Sequence, residues 1–332
     1  MQSPTDSTAP AAGPGPGPIG VVVVNYASSR LIEQNLGPVR LTDARVVVVD
    51  NLSSPAEREA IRALASARGW TLVEMPGNPG FGAGVNAGVR RAEELGCACF
   101  LLLNPDAAVD AATVQALRQA CLDQPLALVA PRLADLDGRV YSAGSTLNLR
   151  DGRTRGLPAV LAHPDPSARP VGWLTAACLA FSAELWRGTG GFDEGYFMYW
   201  EDVDFTFRAL SAGGRVTLRD DLTAVHDQGG TQGPRRGRAK SSLYYFYNCR
   251  NRLLFGVRHL DRADLLRWLI STPKVSWEVL LRGGRHQLVG RPQLAWSAAS
   301  GGLVGIGYAI RRLAQRDPPV ATLRSSRWTG GV

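Results

Sequence analysis

At 332 residues, with 45% hydrophobic and 20% charged side chains, the chain carries enough apolar material for a sizeable core and too much for a disordered protein. Its formal charge of +8 is unevenly divided: from Arg235 onward 18 Lys/Arg stand against 4 Asp/Glu, a balance of +14, which leaves 8 − 14 = −6 before it. Five cysteines with no secretory leader in front of them argue against a disulfide scaffold and for a reducing compartment.

The first 18 residues are Pro, Gly, Ala, Ser and Thr with little else, and a disordered tail is expected there. Ile19 to Val24 is a β-branched apolar run ending at Asn25-Tyr26, and Arg45 to Val49 repeats it and ends at Asp50-Asn51. Pro55 to Arg68 follows as a helix with proline at a favoured first position. A third strand is expected over Trp70 to Met75. The Gly-rich loop Gly77-Asn78-Pro79-Gly80-Phe81-Gly82 then enters a helix through Glu94. Cys99 to Leu103 makes a fourth strand, ending at Asn104-Pro105-Asp106; a helix over Ala111 to Leu122 and a strand over Leu126 to Ala130 come next. Beyond Gly138 the pattern breaks up until Val171 to Phe181. Glu201 to Ala212 reads as a helix, Arg215 to Leu218 as a strand, and His226 ends another short strand-like run.

Strands alternating with helices imply an α/β fold with a mostly parallel central sheet and helices on both faces. Ligands of such sheets bind outside the carboxyl ends of the strands, where Asn25, Asp50, Asn104 and Asp106 all fall. A second concentration of chemistry is the stretch from Gly190 to Asp204, in which Tyr196, Phe197, Tyr199 and Trp200 run into Glu201-Asp202-Val203-Asp204. Acids at a helix start favour the positive end of its dipole, so capping is one role open to them. A carboxylate among rings also has its pKa raised unless a cation or hydrogen bonds hold its charge, which suits a general base.

In their order and spacing these segments resemble the family 2 glycosyltransferases of the GT-A fold, and most of all the bacterial rhamnosyltransferase branch, over roughly residues 19–255. The resemblance rests on Asn25-Tyr26, Asp50-Asn51, the loop from Asn78 to Asn86, Asn104-Pro105-Asp106, Val171 to Thr175, the Gly190–Asp204 run and His226. It implies a nucleotide-diphosphate sugar donor, Mg2+ or Mn2+, inversion at the anomeric carbon, and a glycan or polyprenyl-diphosphate-linked saccharide as acceptor. dTDP-L-rhamnose is the donor implied first and a UDP-hexose second. By the same likeness Asp202 matches the catalytic base, and Asp106 and His226 match metal ligands. The family's Asp-X-Asp turn has Asn104 in place of its first acid. Asn25, Tyr26, Asp50, Asn51, Asn78, Phe81, Gly82, Asn86, Asn104, Trp173, Thr175 and Arg250 match the donor site, and Tyr199, Trp200 and Glu201 the acceptor side. Lys240, Tyr244, Tyr245, Arg250 and Asn251 resemble a segment that closes over the diphosphate.

Two other readings remain open at this stage. Gly82-Ala83-Gly84-Val85-Asn86-Ala87 fits a dinucleotide fingerprint, but the first strand-to-helix turn, Asn25 to Ser29, has no glycine. A non-catalytic relative that keeps the fold is the other, with Asn104 as its support. The chain divides into a GT-A domain over 19–257 (19–135 for the nucleotide, 136–257 for sugar and acceptor) and a basic amphipathic extension over 258–332. Trp268, Trp277 and Trp296 among basic and apolar residues point to an anionic membrane surface as partner, with no nucleic-acid module in sight. A cytoplasmic protein peripheral to the inner face of the plasma membrane is expected. Residues 292–310 are uncharged and just long enough to consider as a span, though a helix lying on the bilayer or on the protein suits their Gly, Ser and Ala better.

Overall fold

The computed structural model of the chain describes residues 17–227, 240–285 and 290–315, so most of the expected N-terminal tail lies outside the described residues. The first half alternates: β1 (Ile19–Asn25), α1 (Ser29–Asn35), β2 (Ala44–Asp50), α2 (Pro55–Arg68), β3 (Thr71–Glu74), α3 (Phe81–Glu94), β4 (Cys99–Leu103), a two-residue β5 (Ala107–Ala108), α4 (Ala111–Asp123) and β6 (Ala127–Ala134). Then come short pieces: β7 (Val140–Ser142), β8 (Ser145–Asn148), β9 (Arg153–Gly156), α5 (Leu157–Ala162) and β10 (Pro170–Trp173). β11 (Cys178–Ser182), α6 (Ala183–Thr189), α7 (Glu201–Ser211) and β12 (Arg215–His226) complete the sheet. Three long helices follow, α8 (Ser242–His259), α9 (Arg262–Leu281) and α10 (Pro292–Ala314).

The central sheet runs β3-β2-β1-β4-β11-β6-β12-β5, with β7 on β6. β3, β2, β1 and β4 run parallel to one another, and β12 is parallel to β6. β11 is antiparallel to both β4 and β6. The chain winds one way from β1 to β3 and crosses back to β4, which puts the switch point beside β1. The strand expected over Arg215 to Leu218 and the run ending at His226 are one strand, broken by a register shift between Arg219 and Thr223.

The near-continuous apolar runs follow from burial on both faces. Val21 and Val23 of β1 point to a core closed by Ile32, Ile61 and Leu117; Val22 and Val24 point to a core closed by Val85, Val89, Leu185 and Phe205. Local signals agree with packing in α2, where Ser54 caps the Glu57 N–H, Pro55 opens the helix and Gly69 ends it left-handed.

The segment beyond residue 257 is continuous with this fold. α8 runs through that position to His259, and Trp268 of α9 is fully buried against Phe255 and Trp200. Trp268 is therefore a core residue and not the interfacial one expected. α10 lies directly on α8: an added Cβ at Gly301 would overlap Phe246 O, and at Gly305 it would meet Arg250 O at 3.0 Å. The small residues of 292–310 thus serve close helix packing. Among the described residues no helix is long and apolar enough to cross a membrane, which removes the span.

Candidate active site

The polar ends of β1, β2 and β4 share one edge of the sheet, since Asn25 pairs with Asp50 and Ile19 with Cys99 in register. β11 enters where β4 leaves, Cys178 opposite Leu103. The backbone N–H of Asn104 donates to Ala177 O at 2.9 Å, which fixes the Asn104-Pro105-Asp106 turn against the loop before β11. From the same loop the Ala176 N–H donates to Asp202 Oδ2 at 3.4 Å. Asp106 and Asp202, 96 positions apart by their numbers (202 − 106), therefore flank one four-residue loop, 174–177.

His226 reaches the same turn from the other side, because it pairs with Ala107 in the β12–β5 ladder. Its Nε2 lies 3.1 Å from Asp106 Oδ1, and its Nδ1 meets the hydroxyl of Tyr141 on β7. Such a contact to the second ring nitrogen sets the tautomer and orientation of an imidazole that binds metal. The donor set, one carboxylate beside one imidazole, fits a hard divalent ion that would need further ligands from outside the protein. Among the described residues no group of three or more His, Cys, Asp or Glu side chains forms a complete protein cage.

Asp202 sits in the first turn of α7. Burial pushes its carboxyl up to about 6, against the pull of hydrogen bonds from the Val203 and Ala176 N–H groups and the Thr175 hydroxyl. Glu201 is driven well above the carboxylate range by burial first and by the charge of Asp202 next, and its Oε2 is buried with no partner among the described residues. Asp204 goes the other way. Burial alone would raise it, but bonds from His259 (2.6 Å) and Arg208 (2.7 Å) outweigh that and hold it ionised.

What aims these acids is a strained backbone. Tyr199 and Trp200 are consecutive non-glycine residues at φ of +64° and +74°, a conformation costing about 1–3 kcal/mol per residue. The Asn251 side chain, fully buried on α8, donates to Met198 O at 2.9 Å and Tyr199 O at 2.8 Å and so holds the kink.

Several expected donor and acceptor residues have other partners. Asp50 is fully buried, accepting from Asn25 Nδ2 at 3.1 Å and Arg58 Nε at 2.7 Å, and so braces the strand ends. Asn25 also accepts from the Ser28 N–H, while Tyr26 beside it is half exposed. Asn51 donates to Gly80 O and thereby ties down the Gly-rich loop, whose Asn78 is exposed. Asn86 bonds Phe192 twice through its backbone, Phe81 packs edge-on against the Phe192 ring, and a Cβ at Gly82 would meet Phe192 at 3.2 Å. Those three hold α3 to the 190–193 loop. Trp200 is buried against Phe255, Glu201 is buried too, and Tyr199 packs on Tyr244. Trp173 is half-buried with its Nε1 unpartnered among the described residues. Arg250 turns to Gly195 O and the Tyr308 hydroxyl, each at 3.3 Å, and Tyr245 is core, so α8 is a clamp on the 195–200 loop as it stands. Tyr141 carried no signal in the sequence; a lone tyrosine in a loop-rich stretch has none to give.

No protein-family model matches the chain. An N-acetylglucosaminyl-diphospho-decaprenol L-rhamnosyltransferase of Mycobacterium tuberculosis is 32% identical over 241 residues, 64% of this chain and 77% of that protein. A low-salt glycan biosynthesis hexosyltransferase of Haloferax volcanii is 27% identical over 237 residues, 71% of this chain and 74% of that protein. Among solved structures, a mannosyltransferase of Pyrobaculum calidifontis in complex with GDP-Man and Mn2+ superposes with a TM-score of 0.53 at 17% identity, over 91% of this chain and 88% of that one. The two sequence relatives make the chain a hexosyltransferase of glycan or lipid-linked sugar synthesis, and the solved structure shares its fold. The chain belongs to the family 2 glycosyltransferases of the GT-A fold, in their rhamnosyltransferase-like branch.

Proposed function

We propose that the protein transfers a sugar, L-rhamnose from dTDP-L-rhamnose first among donors, with inversion onto a hydroxyl of a saccharide carried on polyprenyl diphosphate. The observation that carries this is the Asp202 carboxyl, held by two backbone N–H groups and raised to about 6, beside the loop that also holds the Asp106 turn. Asp202 accepts the proton of the acceptor hydroxyl as that oxygen bonds to the anomeric carbon. The bond from that carbon to the diphosphate breaks, and the electron pair leaves with the nucleoside diphosphate. Asp106 and His226 would hold Mg2+ or Mn2+, which supplies positive charge for the departing diphosphate. Thr175 and the Ala176 N–H keep the base oriented, and Asn251 keeps its helix start in place.

The mycobacterial relative's name and the likeness around residues 170–208 support this choice of donor and acceptor. A peripheral position on the inner face of the plasma membrane suits a lipid-borne acceptor and the basic C-terminal part. The test is a donor panel followed by nucleotide release, with magnesium or manganese and with chelator. Release from dTDP-L-rhamnose that is abolished in Asp202→Asn, with donor binding kept, supports the reading. Preference for a UDP-hexose would reassign the donor, and binding without turnover would leave a non-catalytic relative.

A further inference from the structure

α9 and α10 form a two-helix layer over α8. α9 is anchored by Leu265 and Trp268, and α10 by Ala298, Gly301 and Gly305. They also touch each other, with Gly302 toward Thr272 and Ser276, and Arg262 donating to Leu313 O and Gln315 O. The sides turned away from α8 therefore make one face. On α9 that side carries Leu266, Ile270, Pro273 and Trp277, a spacing of four, three and four residues; on α10 it carries Trp296, Ala299, Leu303 and Ile310. Ile270 is 72% exposed, Trp296 71% and Leu303 63%, in helices whose opposite sides are core. So large an apolar stripe on adjacent helices calls for a partner.

Charge says which partner. Within residues 261–314 the acids are engaged: Asp261 caps the Asp264 N–H, Asp264 is ion-paired with Arg169 and Arg267, and Glu278 with Arg153. Lys274, Arg285, Arg291 and Arg311 are exposed on the same layer. A second copy would bring one basic rim against another, whereas an anionic bilayer complements it. Tryptophans at such a boundary place their rings at headgroup level.

We infer that the outer face of α9 and α10 is a docking surface for anionic lipid, with Ile270, Trp277, Trp296 and Leu303 entering the headgroup boundary and the basic rim lying over it. This deepens the reading of a lipid-borne acceptor and rests on it only for its purpose. Through Tyr308 and Arg250 the docked layer touches the loop at Gly195 that leads to the strained pair, so the bound surface lies near the site.

The test is sedimentation of the full chain with vesicles of phosphatidylglycerol and phosphatidylcholine, beside phosphatidylcholine alone, with nucleotide release read on the same samples. Wild type should bind the anionic vesicles and weaken with salt. Ile270→Glu with Leu303→Glu should lower binding by about a hundredfold, from the burial lost. Lys274→Ala with Arg311→Ala should lower it by about 25-fold, about fivefold per basic residue. Both pairs are exposed, and turnover with a water-soluble acceptor should hold. Absent vesicle binding with turnover intact, or equal binding by both variants, overturns the docking surface and leaves the transferase reading standing. Lost turnover with vesicle binding kept does the reverse. A wild-type dimer dissociated by Ile270→Glu with Leu303→Glu, without vesicle binding, would assign the face to self-association and overturn the inference.

Discussion

Asn251 donates its side-chain amide to the carbonyl of Tyr199, 52 residues earlier, at a point where the backbone is left-handed for two residues in a row. The same amide reaches Met198 O, and its own carbonyl accepts from Arg250 at 2.7 Å. The acid-bearing turn of α7 starts directly after this kink, so its direction depends on a side chain from another helix. Asn251→Ala should lower kcat by about tenfold or more while the donor KM changes less than twofold, and should cost about 2 kcal/mol of stability. Steady-state kinetics with thermal unfolding decides it; a matched loss in kcat and KM would argue for general loosening.

Asp202, raised to about 6, must be ionised to accept a proton. The kcat/KM profile should therefore be flat above that pH and fall tenfold per unit below it. Thr175→Val removes a bond to the charged form, so the acid limb should move to higher pH. The linkage sign is fixed as well. A carboxyl raised above its unfolded value favours the protonated fold, so this group's contribution to stability is full below the unfolded value of about 4 and is lost as pH rises through about 6.

The Asp106–His226 pair predicts a metal phenotype with a readout apart from turnover. His226→Ala should weaken Mn2+ binding in the presence of nucleoside diphosphate. Tyr141→Phe, which removes only the hydroxyl at Nδ1, should weaken it by about tenfold. Paramagnetic relaxation titration measures both. An unchanged Tyr141→Phe affinity would leave that contact without a part in metal binding.

Gly80→Ala should disturb the loop more than an exposed glycine change would. Gly80 has φ of +101°, and a Cβ there would overlap Phe197 O, the acceptor of the Phe81 N–H at 2.9 Å. A loss of about 2 kcal/mol with weakened donor binding is expected; chemical denaturation and calorimetry check the two parts.

The sheet and the edge at which its polar residues gather were legible because buried parallel strands leave long β-branched runs that stop at polar residues. Asn25, Asp50 and Asn104 mark those stops. The Asp106–His226 pair came through resemblance, since a separation of 120 positions hides a ladder contact between β5 and β12. The burial of Trp200 was not legible, because an aromatic run looks the same whether it lines a pocket or fills a core; the left-handed backbone that turns it inward leaves no trace in residue type. Trp268 misled for a related reason. Basic neighbours suggested a boundary position, yet helical spacing sends Trp268 inward and Ile270 outward. Cutting the chain after Val257 would consequently strip the cover from Trp200 and Phe255, so substitutions on the outer face are the cleaner probe.

The reversed strand β11 has a consequence for how such an enzyme changes its diet. Because β4 ends where β11 begins, the stretch between the turn at Asp106 and the carboxyl of Asp202 is spanned by main chain, through the links at Asn104, Ala177 and Ala176. A half-buried side chain such as that of Trp173 can then be exchanged while the separation between the two acids is inherited unchanged.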